Sequence, residues 1–267
     1  MENTKPLRSV LICHEADALD REAMTAWLAS FSNLVGVVVL REPKSALVKR
    51  LKAELKRSGP LGLVDVFAFR AYYKAHLAKR DARALDALRQ RVVDRYGRSS
   101  SIEQTFSSPN EPAARDYLAS LAPDVVIARC KFILKPEVFT VARVGTFVLH
   151  PGICPEYRNA HGCFWALVAR DTDKVGTTLL KVDKGIDTGP VYGYFTYDYD
   201  ERRESHLVIQ QRTIYENLDR VAARLQEIAA GTAQPVDTKG RRSAVFGQPH
   251  LTKYLRWKVA AHAKALG

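Results

Sequence analysis

The stretch Thr146-Phe-Val-Leu-His-Pro-Gly-Ile runs apolar into a histidine, a proline and a glycine. An imidazole presented at the end of a buried strand can hold or move a proton near neutral pH. Downstream, Asp187 lies in Asp183-Lys-Gly-Ile-Asp-Thr-Gly-Pro190, a turn rich in residues that tolerate unusual backbone angles. Its carboxylate could orient the His150 ring or pass protons, as acid–base sites commonly do. Two other readings stand beside this one: a strand-end imidazole satisfied by backbone, and a metal centre built from His150, Cys154, His161 and Cys163. The spacing H-x3-C-x6-H-x-C matches no common zinc pattern, and Cys154 precedes a proline, so no metal is expected. Neither a GxSxG elbow nor a GxxxxGK[ST] phosphate loop occurs, and His14-Glu-Ala-Asp follows the first strand where a dinucleotide fold would carry glycines.

The pattern of apolar residues reveals the elements that must position these groups. Ser9-Val-Leu-Ile-Cys13, then DALDREAMTAWLASF at near-helical spacing, then Leu34-Val-Gly-Val-Val-Val-Leu40 read as strand, helix and strand, the opening of a parallel α/β sheet. Pro123-Asp-Val-Val-Ile-Ala128 and Gly145-Thr-Phe-Val-Leu-His150 are two further strands, with a short helical start at Lys135-Pro-Glu-Val-Phe139 between them. Ligands of open parallel sheets sit at the carboxyl ends of the strands, which is where His150 falls. Residues 162–170 read as a helix whose core includes Phe164 and Trp165, and residues 175–182 and 190–195 as strands. A long helix with Leu207, Ile209, Ile214, Leu218, Val221, Leu225 and Ile228 ends at Gly231.

The chain has 267 residues, enough for one large α/β domain with an appendage, and its 46% hydrophobic and 26% charged residues are ordinary for a soluble protein. No apolar run reaches the ~20 residues of a membrane span, and the first residues lack a signal-peptide core, so a cytoplasmic protein is expected. The four cysteines make no CxxC pair and are expected to be reduced, buried thiols. Of the +12 net charge, most belongs to residues 41–100, where 16 Lys/Arg face 6 Asp/Glu. Residues 43–98 carry it in helical language with a break at Ser58-Gly-Pro60, giving two or three amphipathic helices. Such a run is either a solvated helical face or a docking surface for an anionic partner: RNA, a membrane face or a phosphorylated substrate.

The run from Pro123 to about Phe195 resembles the folate-dependent formyltransferase family, which includes methionyl-tRNA, glycinamide ribonucleotide and sugar-amine N-formyltransferases. The resemblance is carried by PDVVIA, ILKPEVF, HPGICPEYRNAHGCFWAL and VGTTLLKVDKGIDTGPV. Their order and spacing match the family's strand, its Asn-x-His-x-(Ser/Gly)-x-x-Pro-x-x-Arg loop and its Asp-Thr-Gly turn. The resemblance implies a Rossmann-like, mostly parallel α/β domain over residues 1–238, with a basic helical insertion at about 43–98 and a short basic helical tail at 239–267. It implies transfer of a formyl group from 10-formyltetrahydrofolate to an amine of a small or sugar-like acceptor, one that can be anionic. On the matched positions His150 and Asp187 take the catalytic roles. Ile127, Ala128, Ile133, Asp183, Gly185 and Ile186 would hold the folate, and Pro155, Arg158 and Asn159 would shape the loop or reach the acceptor. A nucleic-acid acceptor is less favoured, because the family's transfer-RNA enzymes carry a larger C-terminal β-domain than residues 239–267 could form.

One position departs from the pattern. Two residues before His150, where the family places an asparagine that donates to the formyl oxygen, this sequence has Val148. Loss of one such donor typically lowers the rate by ~10²–10³. Asn159, a backbone N–H, Lys131 or Arg129 could replace it. A hydrolase of the formyl donor and a non-catalytic folate- or ligand-binding module are the alternative readings.

Overall fold

A computed structural model describes residues 6–41, 45–100 and 102–263. Residues 43 and 44 of the expected insertion and the last four of the expected tail lie outside these. Seven strands form one sheet in the order β3-β2-β1-β4-β5-β7-β8: β1 (Arg8–His14), β2 (Asn33–Leu40), β3 (Glu103–Phe106), β4 (Val125–Arg129), β5 (Gly145–His150), β7 (Thr177–Lys181) and β8 (Val191–Phe195). β1 through β5 are mutually parallel, whereas β7 runs antiparallel to both its neighbours. The expected open, mostly parallel α/β architecture is therefore present. A two-stranded parallel pair, β6 (Arg158–Asn159) with β9 (Val245–Phe246), lies apart from it. Among the described residues no helix is long and apolar enough to cross a membrane.

Strand alternation sorts the side chains onto two faces. On one, Leu11, Cys13, Ile127, Phe147 and Leu149 pack against Trp27 of α1 (Thr25–Phe31), Leu88 and Val92 of α3 (Ala78–Tyr96), and Val221 and Leu225 of α8 (Leu218–Ala229). On the other, Val10, Ile12, Val126 and Ala128 meet Leu118 of α4 (Pro112–Ser120) and Val138 of α5 (Pro136–Phe139). The basic segment is α2 (Ser45–Tyr72), a π-type turn at Tyr73–Leu77, and α3. α2 is broken at Gly59, whose φ of 68° suits glycine, just before the helix-breaking Pro60. A third apolar cluster joins α2 (Phe69), α6 (Gly162–Val168), α7 (His206–Tyr215) and α9 (Leu251–Ala263), with Phe164, Ile209, Tyr254 and Trp257 buried together.

Much of the positive charge on α3 is neutralised by carboxylates of the same chain at the surface. Arg89 pairs with Glu22 and Asp86, Arg91 with Glu216, and Arg95 with Asp219.

One ion pair is deeply buried. Arg129, at the end of β4, donates to Asp20 Oδ1 at 2.9 Å, Leu149 O at 2.8 Å and Gln211 Oε1 at 3.2 Å. Tyr215 O–H adds a bond to the same Asp20 oxygen at 2.6 Å. The carboxylate beside it keeps the guanidinium charged despite burial. Replacing Arg129 by methionine would strand the Asp20 charge; the expected loss is ~3–5 kcal/mol of stability, to be read from urea unfolding. An unchanged midpoint would show that the pair is dispensable.

Candidate active site

β5 ends at His150 because Pro151 cannot continue the ladder and Gly152 allows the chain to turn. The turn is stapled from β7: Thr178 Oγ1 donates to Gly152 O at 2.6 Å and accepts from Cys154 N at 3.0 Å. Gly152 also lies backbone to backbone against Gly162. A Cβ at Gly152 would stand 2.8 Å from Gly162 Cα, 2.6 Å from Tyr157 O and 2.9 Å from His150 Nε2.

The His150 side chain is 6% exposed. Its Nε2 lies 2.8 Å from Tyr157 O. A carbonyl only accepts, so Nε2 carries the proton. Nδ1 is left facing Asp187 Oδ2 at 3.4 Å. The same Asp187 oxygen accepts the Asn159 backbone N–H at 2.8 Å. A neutral ring thus offers a lone pair at Nδ1, and a protonated ring offers an N–H beside a carboxylate. The sequence expectation that these two residues meet is realised in this geometry.

Asn159, His161 and Asp187 all adopt left-handed backbone angles, with φ of 73°, 55° and 51°. Asn, His and Asp are the non-glycine types most tolerant of that region, so the residue choice suits the local geometry. The Asp187 turn is closed by Asp183, whose Oδ1 accepts Gly185 N at 2.9 Å and Thr188 Oγ1 at 2.8 Å. A Cβ on Gly185 would collide with Thr188. Arg158 reaches across to Ile186 O at 3.0 Å and joins the two loops. Pro155 follows Cys154 through a cis peptide bond. The C-terminal segment braces this assembly. Arg241 grips both Glu156 oxygens, and Trp165 Nε1 donates to Gly247 O at 3.0 Å.

The remaining residues read from sequence divide. Ile133 and Ile186 are exposed apolar groups, at 65% and 39%. Ala128 is buried on the same sheet face as Val148. Ile127 is sealed in the layer beneath α1 and α3, so its side chain packs the interior and does not border the cleft. Val148 is half-buried between that second face and a small cluster of Cys154, Leu180 and Val191. Of the suggested replacement donors, Arg129 is corrected: strand parity turns it to the opposite face, and Asp20, Leu149 and Gln211 occupy its fork. Asn159 is also committed, its side-chain amide to Phe246 O and its N–H to Asp187. Lys131 is exposed on the loop after β4, and its ammonium has no bonded partner among the described residues. Its backbone N–H donates to His14 Nε2 at 3.0 Å. Burial pushes the Cys154 thiol up, away from nucleophile chemistry. Among the described residues no three His, Cys, Asp or Glu side chains are grouped to hold a metal. Sequence reasoning missed the Tyr157 carbonyl, which carries no side-chain signal.

His161 and His206 lie behind the site loop with ring centroids 5.8 Å apart. Burial, reinforced by the charges of Lys131 and Arg70, pushes His161 down to about 4. Burial also holds His206 well below its usual range, with His161 and Lys258 adding to it. The unfolded chain therefore binds more protons between the ordinary histidine value and about 4, so stability falls as pH drops through that window. The expected result is a urea midpoint that falls more steeply from pH 7 to pH 5 in the native protein than in His206→Phe; parallel slopes would refute the assignment.

The family model for formyl transferases matches residues 74–217. Methionyl-tRNA formyltransferase of Chlorobium chlorochromatii is 30% identical over 125 residues, 46% of this chain and 39% of that protein. The enzyme of the same description from Chlorobium limicola is 39% identical over 83 residues, 30% of this chain and 26% of that one. The matched stretch thus spans well under half of these relatives. Among solved structures, a sugar N-formyltransferase from a Shewanella species superposes with a TM-score of 0.54 at 12% identity, covering 95% of this chain and 87% of that one. Glycinamide ribonucleotide transformylase 1 from Symbiobacterium toebii gives 0.51 at 14% identity, covering 91% and 94%. At such identities these two structures speak for the fold.

Proposed function

The chain belongs to the formyl transferase family, and on that premise we propose that it moves a formyl group from 10-formyltetrahydrofolate to the amine of a small, sugar-like acceptor that can be anionic. The observation that carries the reading is His150 Nδ1 facing Asp187 Oδ2 at 3.4 Å on the carboxyl edge of the sheet. The donor supplies an activated formyl carbon. The amine lone pair forms the new C–N bond while the carbonyl electrons move onto oxygen; the amine proton passes to the His150–Asp187 pair, and collapse breaks the bond to the folate nitrogen, which takes up a proton. Tyr157 O fixes the ring, the Asn159 N–H fixes the carboxylate, and Nδ1 is the atom left to donate or accept. Exposed Ile133 and Ile186 and the Asp183–Gly185 turn are the groups we assign to the pterin ring. Lys131 is the group we assign to the oxyanion in place of the asparagine that Val148 replaces. A sugar-like acceptor is compatible with a fold that sugar N-formyltransferases share, and exposed cations of the basic segment that are not paired among the described residues, such as Arg70 and Lys74, would suit an anionic one.

The test is release of tetrahydrofolate from the formyl donor, with and without candidate amines. His150→Ala and Asp187→Asn are expected to lower kcat by ~10²–10⁴ without unfolding the protein. Lys131→Met is expected to lower it by ~10²–10³, with partial recovery in the Lys131→Met, Val148→Asn double variant. Turnover equal with and without an amine would favour the hydrolase suggested by Val148. Folate binding with no His150-dependent turnover would favour a binding module, and formylation of charged transfer RNA alone would replace the sugar-like acceptor.

A further inference from the structure

The outward side of α2 joins two kinds of side chain. Leu61, Val64 and Phe67 are 87%, 65% and 46% exposed, and their three-residue spacing sets them along one side of the helix that follows the Gly59 break. On the other side, Val66 and Phe69 are buried, and Phe69 packs on Phe164 and Tyr254. Cations precede and follow the apolar row: Lys52, Lys56, Arg70 and Lys74 are exposed, and none has a carboxylate partner among the described residues. α3 differs, because its arginines meet Glu22, Asp86, Glu216 and Asp219. The two carboxylates of α2 are both engaged within the chain: Glu54 is buried beside Arg57 and the Gln248 N–H, and Asp65 accepts the Thr252 N–H of α9 at 3.1 Å. α9 carries no carboxylate at all, and it adds exposed Leu255 and Val259 with exposed Lys253 and Arg256.

These features narrow what can cover α2. An anionic acceptor would occupy some of the cations and leave the apolar row in water. A nucleic-acid backbone would do the same. A second copy docked by two-fold symmetry would lay this surface on itself, bringing Lys and Arg onto Lys and Arg with no outward carboxylate to answer them. An anionic bilayer meets both features at once, with lipid phosphates for the cations and the acyl boundary for Leu61, Val64 and Phe67. The long stems of Lys and Arg let their charged heads stay among the phosphates while neighbouring apolar groups go deeper. With its inner side fixed to the core, α2 offers a single ridge, which suits a planar partner.

We infer that the outward side of α2 docks this protein on an anionic lipid surface, lying on it without spanning it. The inference is independent of the formyl-transfer reading. The experiment is flotation of the full chain with vesicles of equimolar phosphatidylcholine and phosphatidylglycerol, against vesicles of phosphatidylcholine alone. Binding to the anionic vesicles is expected to be about ten-fold or more tighter, and to weaken about five-fold for each cation removed in Arg70→Gln and Lys74→Gln. The triple variant Leu61→Ser, Val64→Ser, Phe67→Ser is expected to lose about ten-fold or more, while His150→Ala binds as the native chain does. The Phe67→Trp variant should gain a blue-shifted emission on anionic vesicles that the native protein lacks. All the α2 side chains replaced are exposed, and far-UV circular dichroism checks that each variant folds. The inference is overturned if anionic vesicles bind no tighter than neutral ones, if the serine variant binds them as the native chain does, or if the Phe67→Trp emission does not move. Tighter binding of a single-stranded RNA, unchanged in the serine variant, would give the surface to nucleic acid instead. A lipid-free dimer that the serine variant dissolves in sedimentation would give it to a second copy.

Discussion

Gly152 and Gly162 meet with no side chain between them, and this close approach sets the shape of the loop that joins them. Because the two backbones touch, residues 153–161 close on themselves, and the Tyr157 carbonyl is brought under the His150 ring. From there the consequences run outward. A proton held on Nε2 leaves Nδ1 for Asp187; the Asn159 N–H, from the same loop, holds that carboxylate; Arg158 pins the facing turn through Ile186 O. A methyl group at either glycine would act on the chemistry before it acted on the core, since the nearest atoms are those that position the imidazole.

The sheet supplies a second constraint, that of parity. β1, β4 and β5 are parallel and in register, so His14 and His150 project to one face while Arg129 projects to the other. The two faces of one edge do different work. One carries the His150–Asp187 pair, and the opposite one carries the buried Arg129–Asp20–Tyr215 network that ties β4, β5, the turn after β1 and α7 together.

What could be read in the sequence follows from how local each signal is. His150 and Asp187 were legible because an apolar strand ending in His-Pro-Gly and a turn built of Asp and Gly are local patterns. The break at Gly59 was legible for the same reason. Parity was available too: Ile127 and Ala128 are adjacent in a strand and so cannot both face one ligand, which is why Ile127 turned out to be interior. The fate of the basic residues was not legible, because Glu22, Glu216 and Asp219, which neutralise Arg89, Arg91 and Arg95, come from distant parts of the chain. Nor could composition show that α9 would bury Tyr254 and Trp257 against α2 and α6, although their spacing with Ala261 is helical. Long-range pairing of this kind is decided by shape complementarity, which a single sequence does not display.

The pairing of β6 with β9 ties the site to the order in which the chain is synthesised. Asn159 donates its side-chain amide to the carbonyl of Phe246, 87 residues downstream, and the two strands run parallel. A ribosome delivers all seven strands of the main sheet, with His150 at the end of one and Asp187 in a turn between two others, well before it delivers the segment that clamps this loop. A nascent chain can therefore own the complete main sheet while the loop beside His150 and Asp187 still lacks the strand that clamps it.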